Sequence, residues 1–154
     1  MVIQTSRFGD IEYSEEQIIH FTKGVLGFEQ NKQYLLLPID EKDTFYFLQS
    51  VEDAQLGFFV VNPFLFYADY DFELPIAAVE ELNVSSPNDV QIVCILSSTN
   101  SLKESTMNLK APIVLNIANK KAMQVVLENV GYLIKHPLFP DQDETENLKT
   151  KAVK

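Results

Sequence analysis

Two histidines, one cysteine and several closely spaced carboxylates are the residues whose types could do chemistry, and their surroundings argue against most of it. His20 sits in the run Gln17-Ile18-Ile19-His20-Phe21 and His136 precedes Pro137; neither has a Cys or His partner at metal-ligand spacing. The plainer reading of both is structural or superficial. Cys94 lies in the apolar run Val90-Gln91-Ile92-Val93-Cys94-Ile95-Leu96, where a thiol packs as a small hydrophobe. Lys23-Gly24-Val25-Leu26-Gly27 lacks the Gly-Lys-Ser/Thr end of a phosphate loop and reads as a turn needing glycine's backbone freedom. No Gly-x-Ser-x-Gly elbow is present, although a triad is recognised by geometry rather than spacing. Asp69 and Asp71 share a face if their segment is extended. Such a pair could hold a cation or divide acid and base roles, but with no recognisable pocket it reads as a solvated surface. No catalytic residue, metal ligand or cofactor site is assigned, and the chain is read as a binding protein rather than an enzyme.

The distribution of charge is more informative. The net charge is -10, and from residue 43 to residue 102 there is no Lys, Arg or His. That stretch carries Asp43, Glu52, Asp53, Asp69, Asp71, Glu73, Glu80, Glu81 and Asp89. From residue 103 to residue 135 lysines outnumber acids. An acidic face either keeps the protein soluble or steers a basic partner. It argues against direct nucleic-acid binding, which needs a basic patch. Within this stretch, residues 62–75 (Asn62-Pro63-Phe64-Leu65-Phe66-Tyr67-Ala68-Asp69-Tyr70-Asp71-Phe72-Glu73-Leu74-Pro75) interleave aromatics with carboxylates. Rigid rings ringed by acids suit an interface with a basic protein. Tyr67 and Tyr70 are therefore candidate anchors, with Asp69, Asp71 and Glu73 as the charged part. The alternative is that the aromatics are core and the carboxylates merely lie outside.

The elements that must position these residues are mostly short strands. Runs at residues 2–7, 10–13, 17–21, 34–38, 44–49, 57–61, 89–97, 104–109, 113–118 and 122–127 are apolar or β-branched, and turn signals recur between them. Gly9 supplies a hairpin turn between the first two. Pro75 opens a short helix with Ile76, Val79 and Leu82 at helical spacing. The pattern predicts one mainly β domain over residues 1–140, a compact antiparallel barrel-like fold with one or two short helices. Residues 141–154 are polar and without period, and read as a flexible tail. The start of the chain has no signal-peptide pattern, no run is long enough to cross a membrane, and a single cysteine suits a reducing compartment, so a cytoplasmic protein with no membrane partner is expected.

Several local motifs then occur together: Phe21-Thr22-Lys23-Gly24-Val25-Leu26-Gly27-Phe28-Glu29, Phe47-Leu48-Gln49-Ser50-Val51, Phe59-Val60-Val61-Asn62-Pro63, Asn108-Leu109-Lys110-Ala111-Pro112-Ile113-Val114-Leu115-Asn116, and Gln124. In this order and spacing the chain resembles the FliW family of flagellar assembly factors, from about residue 2 to residue 138. The resemblance implies a compact β-barrel-like protein that binds flagellin and the RNA-binding translational repressor CsrA in the cytoplasm. Binding removes the repressor from flagellin messenger RNA, and accumulating flagellin reverses this, a partner switch without catalysis. Docking on CsrA could mimic RNA or act at a separate site through linkage; what the family does favours the separate site. A flagellin-specific chaperone without a role in translation is the alternative.

Plainer roles are expected for the motif residues: Gly24 and Gly27 in a turn, Phe28 plugging the core, and Pro63 and Pro112 directing the chain at strand ends. Asn108 and Asn116 would bond turn backbone or face a partner, and Gln49 and Gln124 would be inward polar groups needing partners. Asn62 and Leu109 belong to the same motifs. A glycine often precedes the Gln124 position in the family, so the Lys120-Lys121-Ala122-Met123 turn departs from the pattern.

Overall fold

A computed structural model describes residues 1–98, 101–128 and 130–139. The expected tail at 141–154 lies outside the described residues. Eleven strands are assigned among the described residues: β1 Val2–Thr5, β2 Gly9–Glu12, β3 Ile19–Phe21, β4 Gln33–Pro38, β5 Phe45–Ser50, β6 Gly57–Val61, β7 Val90–Ser97, β8 Thr106–Met107, β9 Ile113–Asn116, β10 Lys121–Gln124 and β11 His136–Pro137. One α-helix, α1, spans Ile76–Leu82. Strands β3 to β7 form an antiparallel meander. β9 pairs antiparallel with β7 and β10, and β10 pairs with β3, so seven strands close into a barrel. The β3–β10 pair is parallel, a departure from the all-antiparallel expectation. Those two strands are distant in sequence and no hairpin constrains their direction.

Most barrel strands are covered on both faces, though His20 leaves β3 bare on its outer side, and their side chains alternate between two destinations. Tyr34 and Leu36 of β4 join the barrel interior while Leu35 and Leu37 pack with Ile3 of the β1–β2 hairpin. On β7, Val93 and Ile95 belong to the interior, whereas Ile92, Cys94 and Leu96 belong to an outer layer with Tyr70, Leu109 and Leu138. On β9, Ile113 and Leu115 are interior and Val114 packs with Ala78 and Leu82 of α1. The interior is filled, with Phe21 and Tyr34 edge to face at 5.0 Å. Double-sided burial explains why the strands read as nearly continuous apolar runs.

Some sequence expectations shift. Residues 17–21 do not form one strand: Glu15–Gln17 is a 3-10 turn, and the Gln17 side chain accepts the Ser14 N–H at 2.9 Å, the half of a capping box that Ser14 and Gln17 spell out. The runs at 113–118 and 122–127 shorten to β9 and β10. The run at 104–109 leaves only the two residues of β8. Ile76, expected on the buried stripe of α1, is 76% exposed. The buried residues are Ala78 and Leu82, and Ile76 lies about 200° around the helix from Ala78. At the Lys120 turn, Lys120 itself takes a left-handed φ of 62°.

The most irregular backbone is the Asn108-Leu109-Lys110-Ala111-Pro112 motif. Met107 pairs with Leu96 and Ile113 with Val93, so residues 108–112, five of them, stand opposite only residues 94–95 of β7. This excursion is satisfied from many directions. Asn108 N–H donates to Ile95 O (2.9 Å), and Leu109 and Lys110 N–H to Leu133 O (3.2 and 3.3 Å). Leu127 N–H donates to Lys110 O (2.8 Å) and Val125 N–H to Pro112 O (2.9 Å). The Asn108 side chain accepts Ala111 N–H at 2.9 Å, and Gln124 Nε2 donates to Ala111 O at 3.0 Å.

Two expected outcomes follow from this packing. Gln49 is buried and its Nε2 donates to Ser50 O, Ala54 O and Leu56 O at 3.0–3.2 Å, closing the turn after β5. Gln49→Leu removes that donor at unchanged backbone and should cost about 2 kcal/mol, read as a lower urea midpoint with unchanged slope. Burial pushes the Cys94 thiol up to about 12. Folded protein should therefore leave an aromatic disulfide reagent unreacted at about pH 8, and urea should release one thiol per chain; prompt labelling of the folded state would contradict this packing.

Candidate partner-binding surface

The segment after β6 leaves the barrel through Asn62, whose side chain accepts the Phe64 N–H (3.1 Å) and caps the 3-10 turn Pro63–Leu65. Pro63 occupies the first turn position, where its missing N–H is harmless. The turn leaves Phe64 41% exposed and Leu65 still more so. Phe66 turns back against Phe45 and Phe139. Tyr67 is half-buried: its hydroxyl donates to Pro137 O at 2.6 Å and its ring meets His136 edge-on.

Tyr70, expected as an anchor, is not available to a partner. It is 4% exposed, and its hydroxyl donates to Leu109 O at 2.7 Å. Burial, with Cys94 and Tyr132 nearby, raises its phenol far above the ordinary range. The ring is core because the excursion carbonyl of Leu109 needs a donor and Tyr70 supplies it. Asp69, Asp71 and Glu73 are exposed, as expected. Asp71 is held by its backbone: the Tyr132 hydroxyl accepts its N–H and donates to its carbonyl, both at 3.1 Å. Its carboxylate is thus left to the surface while the chain beneath it is fixed.

Beside these carboxylates lies a groove of about 430 Å3. It is lined by Val90 and Ile92 of β7, by Phe64, Phe72 and Leu74 of the segment before α1, and by Val79 and Val84 at the end of α1. Asp71 stands at its edge. The groove exists because the outer layer is split. The 63–72 segment covers one part of the barrel and α1 covers another, and β7 begins in the seam between them. Asn83 ends α1 in a left-handed conformation (φ 52°), which lets Val84 N–H return to Val79 O at 3.0 Å. The groove and Phe64's exposure were not anticipated from sequence; the only available hint was the apolar Val84 before the Ser85-Ser86-Pro87 turn. Among the described residues no group of three or more His, Cys, Asp or Glu could hold a metal ion.

The motif residues meet elsewhere, around the excursion. Gly24 (φ 72°) and Gly27 (φ 90°) shape a turn in which Phe28 N–H bonds Val25 O at 2.7 Å. Val25, 1% exposed, enters the barrel core in place of Phe28, which is 43% exposed and lies edge-on to Phe58. The expectation that Phe28 plugs the core is corrected: the two positive φ values turn its side chain outward. The Glu29 carboxylate accepts the Gly27 N–H at 2.8 Å, which holds its pKa below the ordinary carboxylate range. Gln124 joins this turn to the excursion, accepting Leu26 N–H at 3.1 Å while donating to Ala111 O. Asn116, buried, donates to Leu82 O and Asn83 O and so closes the C-terminus of α1. Leu109 is buried in the outer layer, Pro112 is buried too, and Asn108 bonds its own turn.

Filled inside and layered outside, this is a small closed-barrel protein whose grooves and charged faces lie on its outer layers. Residues 2–138 match the family model described as FliW protein. The chain belongs to the FliW family. It is 44% identical over 138 residues to the flagellar assembly factor FliW of Bacillus pumilus (strain SAFR-032), covering 90% of this chain and 96% of that relative. Against the flagellar assembly factor FliW of Bacillus subtilis (strain 168) identity is 41% over 138 residues, with the same shares. A crystal structure of the flagellar assembly factor FliW superposes with a TM-score of 0.85 at 37% identity, over 91% of this chain and 98% of that one.

The two glycines of the turn should respond unequally to alanine. A Cβ on Gly24 would lie 2.6 Å from Glu29 Cα, against backbone that cannot yield, whereas at Gly27 nothing lies within 4 Å. Gly27→Ala should cost about 1 kcal/mol from its left-handed φ alone, and Gly24→Ala about 3 kcal/mol or more, as compared by urea midpoints.

Proposed function

We propose that this chain is a flagellar assembly factor that works in the cytoplasm by binding, without catalysis: it takes up flagellin and the translational repressor CsrA, and in holding CsrA it frees flagellin messenger RNA for translation. Family membership supports the flagellar role. The observation that carries the CsrA contact is the exposure of Asp69, Asp71 and Glu73, on a segment whose backbone Tyr132 holds at Asp71, in a stretch of chain without a single cation. A protein that holds RNA must carry positive charge, and exposed carboxylates on a backbone held at Asp71 attract it. Of the earlier anchors only Tyr67 retains exposed surface, and Phe64 takes the place of Tyr70.

Antagonism then acts by linkage from a surface apart from the RNA site. A hundredfold loss of RNA affinity needs about 2.7 kcal/mol of coupling. The apolar groove favours a second reading, in which the protein chiefly shields an apolar segment of flagellin as a chaperone.

Calorimetric titration of the chain into the matching CsrA, at low and moderate salt and with or without flagellin, separates the two. Saturable binding that weakens with salt and is lost on adding flagellin is expected. Asp69→Lys with Asp71→Lys should weaken CsrA binding at least tenfold, about 1.4 kcal/mol, without changing the thermal midpoint. Unchanged binding by that double variant would remove the acidic face from the mechanism, and binding to flagellin alone would leave the chaperone reading.

A further inference from the structure

We infer that the groove over β7 is a docking slot for an amphipathic protein segment that inserts apolar side chains and carries Lys or Arg beside them. The inference deepens the binding role proposed above and rests on it only in that this face recognises protein. Its first support is geometric. Val90 and Ile92 belong to the outward face of a barrel strand, a face covered elsewhere by the hairpin, by the 63–72 segment or by α1. Here cover is incomplete, and the gap of about 430 Å3 has room for a few aliphatic side chains, within the range of sites that bury a ligand's surface. The slot is also built to keep its shape. Its two flanking segments are pinned independently, one by the Tyr132 clamp on Asp71 and the Tyr70 bond to Leu109, the other by Asn116 and Asn119 on the end of α1.

The second support is charge, and it selects the occupant. Every residue lining the groove falls between positions 64 and 92, inside the cation-free stretch from 43 to 102. Asp71 stands at the edge and Glu73 is exposed next to lining residues Phe72 and Leu74. An anionic lipid or a fatty acid would meet these carboxylates, and Lys23, which reaches α1 from another segment, is already paired with Glu81 at 3.7 Å. A second copy docking through this same face would bring the same acids against themselves, and like charges across an interface are unfavourable. A segment with an apolar stripe and basic flanks satisfies apolar lining and acidic edge together, the mode in which a helix or strand seats alternate anchors in a groove.

Fluorescence anisotropy with two synthetic probes tests this. One is a labelled amphipathic peptide of about 18 residues with leucines at i, i+3, i+4 and i+7 and lysines elsewhere; the other replaces every lysine with glutamate. The full chain should bind the lysine probe saturably, and at least tenfold tighter than the glutamate probe. Ser85→Trp, which adds bulk at an exposed position of the lining, should abolish that binding, and Phe64→Ala should weaken it. Asp71→Asn with Glu73→Gln should erase most of the preference between probes. Circular dichroism establishes that each variant is folded, and Ser85→Trp keeps the test decisive if Phe64→Ala unfolds. Equal binding of both probes, no binding of either, or full binding by Ser85→Trp would overturn the inference. So would a dimer in sedimentation velocity that Ser85→Trp dissociates, since the occupant would then be a second copy. Because the probes are neither CsrA nor flagellin, these outcomes are read separately from the titration of those partners.

Discussion

Five residues standing opposite two, where the chain between β8 and β9 runs beside β7, set a hydrogen-bonding problem that much of the rest of the molecule serves to solve. An excursion of this kind takes backbone N–H and C=O groups out of the ladder and into the protein, where each left unpaired would cost about 1–3 kcal/mol. Leu133, Leu127, Val125, Gln124, Asn108 and Tyr70 each supply one answer. The chain after β10 therefore has to lie where it does, along the excursion. Tyr70 has to be buried, and Gln124 has to sit between the Gly24 turn and Ala111. The motifs that look scattered in sequence are the parts of one hydrogen-bonded node.

The node also explains how the acidic segment acquires a defined shape. Residues 66–72 have little regular structure of their own, yet Tyr70 is tied to Leu109, Tyr67 to Pro137 and Asp71 to Tyr132. Three tyrosine hydroxyls thus do for this segment what a strand ladder does elsewhere. Aromatic residues suit the task, since each contributes a large apolar area and a polar tip that needs a partner once buried. The carboxylates between them are left exposed, Asp69 in the turn closed by the Tyr70 N–H on Tyr67 O at 3.0 Å.

Alternate side chains pack the inside of the barrel, and the others meet the layers outside. Those layers are three separate pieces, the β1–β2 hairpin, the 63–72 segment with residues 132–139, and α1. Three pieces laid over a closed surface leave seams. The seam over the start of β7 becomes a groove because α1 turns away at Asn83 on one side and the Pro63–Leu65 turn lifts Phe64 outward on the other.

The sequence by itself determined the mainly β character, the positions of most strands, the short helix at Ile76–Leu82 and the cation-free stretch, because each rests on composition or on a local period of two or 3.6 residues. The order of its motifs was enough to find the family. It also made legible that Asp69, Asp71 and Glu73 lie outside, since short carboxylates seldom bury without partners. It could not tell that Tyr70 is core while Phe64 is surface, that Val25 rather than Phe28 enters the barrel, or that a groove exists. Those outcomes are decided by contacts between residues far apart in the chain, such as Tyr70 with Leu109 and Leu26 with Gln124. An aromatic ring has the same local signature whether it is covered or bare. What covers it is a matter of which distant segment arrives, and only the closing of β7 on β9 and β3 on β10 brings those segments together.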